Sequence, residues 1–169
     1  DDHEGAIKDY TRVIEINPEY ASAFYNRGLS KDEMEDSYGA TSDYSKAIAI
    51  NGKHKNAFIY RGYAKSEIGD HKGAIKDLTS AIEINPEDSY AYSARGYVKE
   101  RAGDYYAAIS DYSKAIEIDK TYHQAFYNRG YLKDKMKDYY GAISDYNKAI
   151  FLKKDYENAY INRAYAKAD

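Results

Sequence analysis

The chain repeats itself every 34 residues, and this period limits its fold more tightly than any other feature. An Arg-Gly pair marks the period at Arg27-Gly28, Arg61-Gly62, Arg95-Gly96 and Arg129-Gly130, and again as Arg163-Ala164. A second string keeps step with it: Asp43-Tyr44 to Ile48, Asp77-Leu78 to Ile82, Asp111-Tyr112 to Ile116 and Asp145-Tyr146 to Ile150. It occurs once earlier, from Asp9-Tyr10 to Ile14, with Val13 in place of the alanine. Between Ser89–Tyr122 and His123–Tyr156, 18 of 34 positions are identical.

Each unit carries two helical stretches. The first, such as Ala91–Ala102, places apolar or small residues at Ala91, Tyr92, Gly96 and Ala102. The second, such as Tyr106–Ile118, sets Ala108, Ile109, Tyr112, Ala115, Ile116 and Ile118 at the spacing of an amphipathic helix. Gly69-Asp70 and Gly103-Asp104 supply a break and then an N-cap for the second helix, and Asp36 and Asp138 hold the same place in the other units. Asn17-Pro18 and Asn85-Pro86 stop the second helix because proline has no N–H to donate, and Gly52 does so after Ile50-Asn51. No stretch alternates with period two, so an all-α chain of about ten helices is expected.

Composition removes several classes of function. Lys plus Arg is 25 against 28 for Asp plus Glu, a net charge of -3, which gives no electrostatic reason to expect nucleic acid or an anionic membrane. With no cysteine there is no disulfide, thiolate nucleophile or Cys-based metal site. His3, His54, His71 and His123 are too scattered for a local metal cage. Phosphate loop, nucleophile elbow, His-Glu-x-x-His and calcium-loop patterns are all missing, so neither an enzyme nor a cofactor is expected. No apolar run approaches the roughly 20 residues that span a bilayer, and no leader opens the chain, which suggests a cytoplasmic protein. The first residue is Asp1 rather than Met, as in a piece of something longer.

With these landmarks the helix pair resembles the tetratricopeptide repeat (TPR) family over the whole chain. The bulky aromatic of the first helix is Phe24, Phe58, Tyr92, Phe126 or Tyr160. The small residue that lets the helices touch is Gly28, Gly62, Gly96, Gly130 or Ala164, facing Ala40, Ala74, Ala108 and Ala142. The second-helix aromatic is Tyr44, Tyr112 or Tyr146, with Leu78 in one unit, and the later alanines are Ala47, Ala81, Ala115 and Ala149. The resemblance implies an α-solenoid, a right-handed superhelix of antiparallel helix pairs. In this register residues 1–20 are a lone second helix, and 21–54, 55–88, 89–122 and 123–156 are complete repeats. Residues 157–169 are a lone first helix.

Two departures from the family pattern stand out. Arg27, Arg61, Arg95, Arg129 and Arg163 stand where many members have leucine, while the second helix supplies Asp9, Asp43, Asp77, Asp111 and Asp145. We read a repeated interhelical ion pair, with Lys31, Lys65, Lys99, Lys133 and Lys167 one turn further on, that sets helix register rather than binding a ligand. The other departure is tyrosine, 22 residues against 4 Phe and no Trp.

Some of these tyrosines fall where the family lines its concave groove. Carried over position by position, the resemblance places there Tyr25, Asn26, Leu29, Asn56, Tyr60, Tyr63, Tyr90, Tyr97, Arg101, Gln124, Tyr127, Asn128, Tyr131, Asn158, Asn162 and Tyr165, with Ile59, Ser66, Ser93 and Ala94 among them. The basic places of the family's chaperone-tail clamp hold Tyr25, Ile59, Tyr90 and Ala94, which argues against that ligand. Asn26, Asn128 and Asn162 match an asparagine ladder able to pair with an extended peptide backbone, and tyrosine adds rigid amphipathic contact area. A scaffold binding a peptide or helix of a partner protein follows as the expected function. The groove holds as many acids as bases, which disfavours RNA. The alternative is self-assembly into a homo-oligomer, head to tail through the incomplete ends. Ala6, Ile7, Tyr10, Val13 and Ile14 then form an uncovered apolar stripe at one end, and Tyr160 and Ala164 stand at the other.

Overall fold

The computed structural model describes residues 2–168, and among these every regular element is an α-helix. Two compact units divide the chain, Asp1–Pro86 and Glu87–Asp169. The first holds α1 (His3–Ile16), α2 (Ala21–Glu33), α3 (Ser37–Ile50), α4 (Lys55–Glu67) and α5 (His71–Ile84). The second holds α6 (Ser89–Arg101), α7 (Tyr105–Ile118), α8 (His123–Lys135), α9 (Tyr139–Leu152) and α10 (Glu157–Ala168). The ten helices follow the expected pairs with small shifts. Helix α6 starts at Ser89 rather than Ala91, because Asp88 accepts from the Tyr90 and Ala91 N–H groups, and α7 starts at Tyr105 rather than Tyr106.

The caps explain why the second helices start where they do. Asp2, Asp36, Asp70, Asp104 and Asp138 each accept from the backbone N–H three residues on, at 2.8 to 3.1 Å. Just before four of these caps the chain turns through the left-handed region. Glycine takes this turn at Gly69 (φ 83°) and Gly103 (φ 84°), whereas Glu35 (φ 61°) and Lys137 (φ 65°) take it against the steric preference of a side chain.

Packing inside each pair follows a small-against-large rule. Second-helix Tyr44, Leu78, Tyr112 and Tyr146 are fully buried over Gly28, Gly62, Gly96 and Gly130. A Cβ added at these glycines would meet the facing helix at 2.6 to 3.1 Å, closer than packed atoms approach. Around this crossing Ala40, Ala74, Ala108 and Ala142 are wholly inaccessible to solvent. The buried tyrosines need a place for their hydroxyls. Tyr44 donates to Asp32 at 2.6 Å and Tyr112 to Glu100 at 2.9 Å, while Tyr146 reaches Asp134 at 3.5 Å. Where the second helix carries Leu78 there is no hydroxyl, and the matching first-helix position is Ser66, 3.3 Å from His71 Nδ1.

A charged cluster fixes the register of every complete pair, as the spacing predicts. Asp43, Asp77, Asp111 and Asp145 are buried, and each accepts two bonds from the arginine 16 residues before it, at 2.6 to 2.9 Å. Lys31, Lys65, Lys99 and Lys133 add a second cation to the same carboxylate at 2.7 to 2.9 Å. The guanidinium also lies over the aromatic three residues earlier, 5.5 to 5.7 Å from its centroid. A third partner, with no local signal in the sequence, is a hydroxyl on the preceding second helix. Arg27 donates to Thr11, Arg61 to Ser45 and Arg129 to Ser113, all at 3.0 Å. Each of these guanidinium groups fastens its own pair and ties it to the helix before, so the first helices present their remaining faces at a fixed rotation.

Candidate interaction site

Side chains at i, i+4 and i+7 share one helix face, and the expected groove residues obey this spacing. On α8 they are Gln124, Asn128 and Tyr131, with Tyr127 beside them, and on α10 they are Asn158, Asn162 and Tyr165. The two faces meet. Asn162 donates to the Tyr127 hydroxyl at 3.1 Å, the Tyr156 hydroxyl donates to Gln124 Oε1 at 2.8 Å, and Gln124 Nε2 donates to Asn128 Oδ1 at 2.9 Å. Tyr127 packs against Tyr156 with the rings tilted by 40° and centroids 4.9 Å apart, and against the buried Tyr146 at 5.9 Å and 45°. Burial raises the Tyr127 phenol, with the Asn162 bond opposing, and it pushes Tyr156 up to about 12, with Tyr127 adding to it. Both phenols are therefore neutral and able to donate or accept.

Along the same unit, α6 carries Tyr90 and Tyr97, both exposed, and Arg101 lies 5.8 Å over the Tyr97 ring. Lys135 sits over Tyr105 at 5.0 Å and Tyr131 at 5.4 Å, and burial raises the carboxyl of Glu100 against the Tyr112 hydrogen bond and, less, Lys135. In the first unit the corresponding surface is made by α2 and α4. Tyr25 meets Tyr60 edge-on at 5.9 Å and Tyr60 meets Tyr63 at 6.4 Å, beside Asn26 and Leu29, while Asn56 is exposed. The rim here is acidic: Asp32, Glu35, Asp36 and Glu67 surround a shallow depression of about 480 Å³ with Tyr38. Asp32 is raised, first by burial and then by its acidic neighbours, against the Tyr44 bond.

Four groove positions behave otherwise. Ile59, Ser66, Ser93 and Ala94 are buried, so none of them offers its side chain to a ligand. The asparagine ladder is also less open than expected, since Asn128 and Asn162 already hold partners within the chain. Two further rings pack against residues expected on the groove. His54 packs against Tyr25 at 4.8 Å with the rings tilted by 40°, as Tyr156 does against Tyr127, and its Nδ1 accepts the Ala57 N–H at the start of α4. Both sit at the residue before a first helix, and an aromatic recurs there at Tyr20, His54, Tyr122 and Tyr156.

The end residues also need adjustment. Ala6, Ile7, Tyr10, Val13 and Ile14 are half-buried rather than open, because α2 packs along one side of α1, and Ile14 touches the cluster of Phe24, Ala47 and Ala57. No α1 residue is fully buried, however, and Tyr160 and Ala164 on α10 are exposed. Among the described residues no group of three or more His, Asp and Glu could hold a metal, and no helix is long and apolar enough to cross a membrane.

Comparison with known proteins fits this architecture. The crystal structure of MamA superposes with a TM-score of 0.83 at 23% identity, over 93% of this chain and 92% of that one. YrrB, described as a TPR protein with an unusual peptide-binding site, gives 0.77 at 24% identity over 99% and 84%. TTC0263, a thermophilic TPR protein of Thermus thermophilus, gives 0.80 at 17% over 99% and 91%. At these identities the likeness establishes the fold. No curated protein sequence matches the chain. A tetratricopeptide repeat model matches residues 58–88, 89–122 and 123–156, and a second TPR repeat model matches residues 1–31. The chain belongs to the tetratricopeptide repeat family, whose helix-pair arrays are scaffolds for protein–protein interaction.

Proposed function

We propose that the tyrosine- and carboxamide-rich surface of the first helices binds an extended segment of a partner protein. The observation that carries this reading is the hydrogen-bonded array of Gln124, Tyr127, Asn128, Tyr156 and Asn162 on neighbouring helices. Its members are held in place before any ligand arrives, which lowers the ordering cost of binding. A carboxamide or neutral phenol can both donate and accept, matching the alternating N–H and C=O groups of an extended backbone. The flanking rings give flat contact area at low entropic cost.

Random peptides displayed on phage and selected on the chain would supply the probe. Peptides selected on the wild-type chain should bind the Tyr127→Ala, Asn162→Ala double variant at least about tenfold more weakly, a loss of roughly 1.4 kcal/mol. Binding that is indifferent to both changes, with helicity intact, rules the surface out.

A further inference from the structure

We propose that the end of α9 docks a carboxylate-bearing segment of a partner protein around Phe151, on a surface separate from the first-helix groove. The other second helices end alike, in Glu15-Ile16-Asn17, Ala49-Ile50-Asn51, Glu83-Ile84-Asn85 and Glu117-Ile118-Asp119. Helix α9 and its exit read Phe151-Leu152-Lys153-Lys154 instead. The first of these positions faces solvent throughout, since Ala49, Glu83 and Glu117 are exposed although a further helix pair follows each. Exposure therefore belongs to the position. Only α9 puts a large apolar side chain there, and Phe151 is 66% exposed.

The same change rearranges the cations. Where the position holds an acid, it can take the cation three residues before it: Arg12 donates to Glu15 at 2.7 Å and Lys114 to Glu117 at 2.9 Å. With Phe151 in the acid's place, Lys148 lies 5.1 Å from the ring centroid and Lys154 approaches the same ring at 5.8 Å. Lys153 gives up a local bond as well. Asn17, Asn51 and Asp119 each accept the N–H two residues on, at 2.8 to 3.2 Å, and a lysine cannot accept. Its ammonium lies over Tyr156 at 5.3 Å instead. A cation at a helix C-terminus suits the dipole, yet this explains neither the lost acid nor the exposed ring.

Among the described residues none of Lys148, Lys153 and Lys154 forms an ion pair. Exposed ammonium groups around an exposed ring match a segment that sets one large apolar side chain between acidic ones. Exposed Asp155 and Glu157 stand beside the lysines, and the chain carries a net charge of -3. A uniformly anionic lipid leaflet would meet these like charges, whereas carboxylates at discrete places avoid them.

Random peptides displayed on phage, selected on the wild-type chain and depleted on Phe151→Glu, supply the probe. The retained peptides should pair a large apolar residue with Asp or Glu. They should bind Phe151→Glu, or the Lys148→Gln, Lys154→Gln double variant, at least about tenfold more weakly. Their binding to the Tyr127→Ala, Asn162→Ala variant should match the wild type, which separates this surface from the groove. Phe151→Glu gives Lys148 the acid that Arg12 and Lys114 already have, and Phe151→Ala installs the residue of α3. Neither should lower the urea midpoint. A lower midpoint in both variants assigns Phe151 to packing and overturns the proposal, as does a selection that retains no peptides or only peptides without acidic residues. Vesicles of phosphatidylserine and phosphatidylcholine that bind the wild type but not Phe151→Glu would assign the patch to lipid. A sedimenting mass that climbs above 19.3 kDa with concentration in the wild type alone would assign it to a second copy. Either result overturns the proposal too.

Discussion

Removing the carboxylate from a charged cluster should cost the fold more than removing its arginine. In the repeat formed by α8 and α9, Asp145 accepts from Arg129 Nε at 2.9 Å, from Arg129 Nη2 at 2.6 Å and from Lys133 Nζ at 2.8 Å. Its side chain is 5% exposed, against 19% for Arg129 and 23% for Lys133. Asp145→Ala strands two cations in a largely desolvated place. Breaking a buried pair this way costs about 3–5 kcal/mol, and the partial exposure of both cations argues for the lower end, about 3 kcal/mol. Arg129→Met leaves Lys133 on the carboxylate and refills the stem volume, so the loss is mainly of charge-assisted hydrogen bonds, about 1.5 kcal/mol. The double variant should cost less than the sum of the two, because only Lys133 is then unpaired and its stem can turn to water. Urea unfolding followed by circular dichroism gives all three values. If Arg129→Met proves as costly as Asp145→Ala, or the two effects simply add, the carboxylate is not the hub of the cluster.

Two further outcomes follow from single positions. Glu35→Gly and Lys137→Gly should each stabilise the chain by about 0.5–1 kcal/mol, read as a higher urea midpoint, since both residues hold a left-handed turn that Gly69 and Gly103 take freely; a lower midpoint would contradict this. Burial lowers the His54 pKa from 6.5, and its neutral Nδ1 caps α4, so the unfolded chain binds the proton more tightly than the folded one. The cap's contribution is present above about pH 6.5 and is lost as pH falls through the depressed value of the folded ring. Thermal melts at neutral and mildly acid pH should show His54→Asp losing less stability on acidification than wild type, and equal losses would count against the cap.

The helical pairs were legible because their signals are local and repeated. A period of 34, a cap aspartate before each second helix, and glycine facing a bulky ring each follow from packing within one pair. The Arg–Asp fork was legible for the same reason. What escaped depends on contacts between consecutive pairs. Thr11, Ser45 and Ser113 recur in register, yet nothing local says that their hydroxyls meet the next arginine. Ile59 and Ala94, which the family resemblance puts on the groove, are buried, because a position carried over from a family does not tell which part of a face this chain covers. Tyr156 and His54 stand at the ends of repeats, where the recurring aromatic is the one sequence signal that marks them.

Repeats this similar risk pairing a first helix with the wrong second helix while the chain folds. The tyrosine–carboxylate contacts bear on that error. Asp32, Glu100 and Asp134 each stand beside a buried phenol, whereas Ser66 belongs with Leu78. If Leu78 were shuffled onto the helix of Asp32 or Glu100, the carboxyl would lose its donor against an aliphatic wall. If Tyr44 or Tyr112 were shuffled onto the helix of Ser66, the phenol would lose its carboxylate. Each mismatch leaves a polar group short of its partner, at about 1–3 kcal/mol. One leucine and one serine thus mark the pair of α4 and α5 as belonging together and proofread its assembly among near-copies.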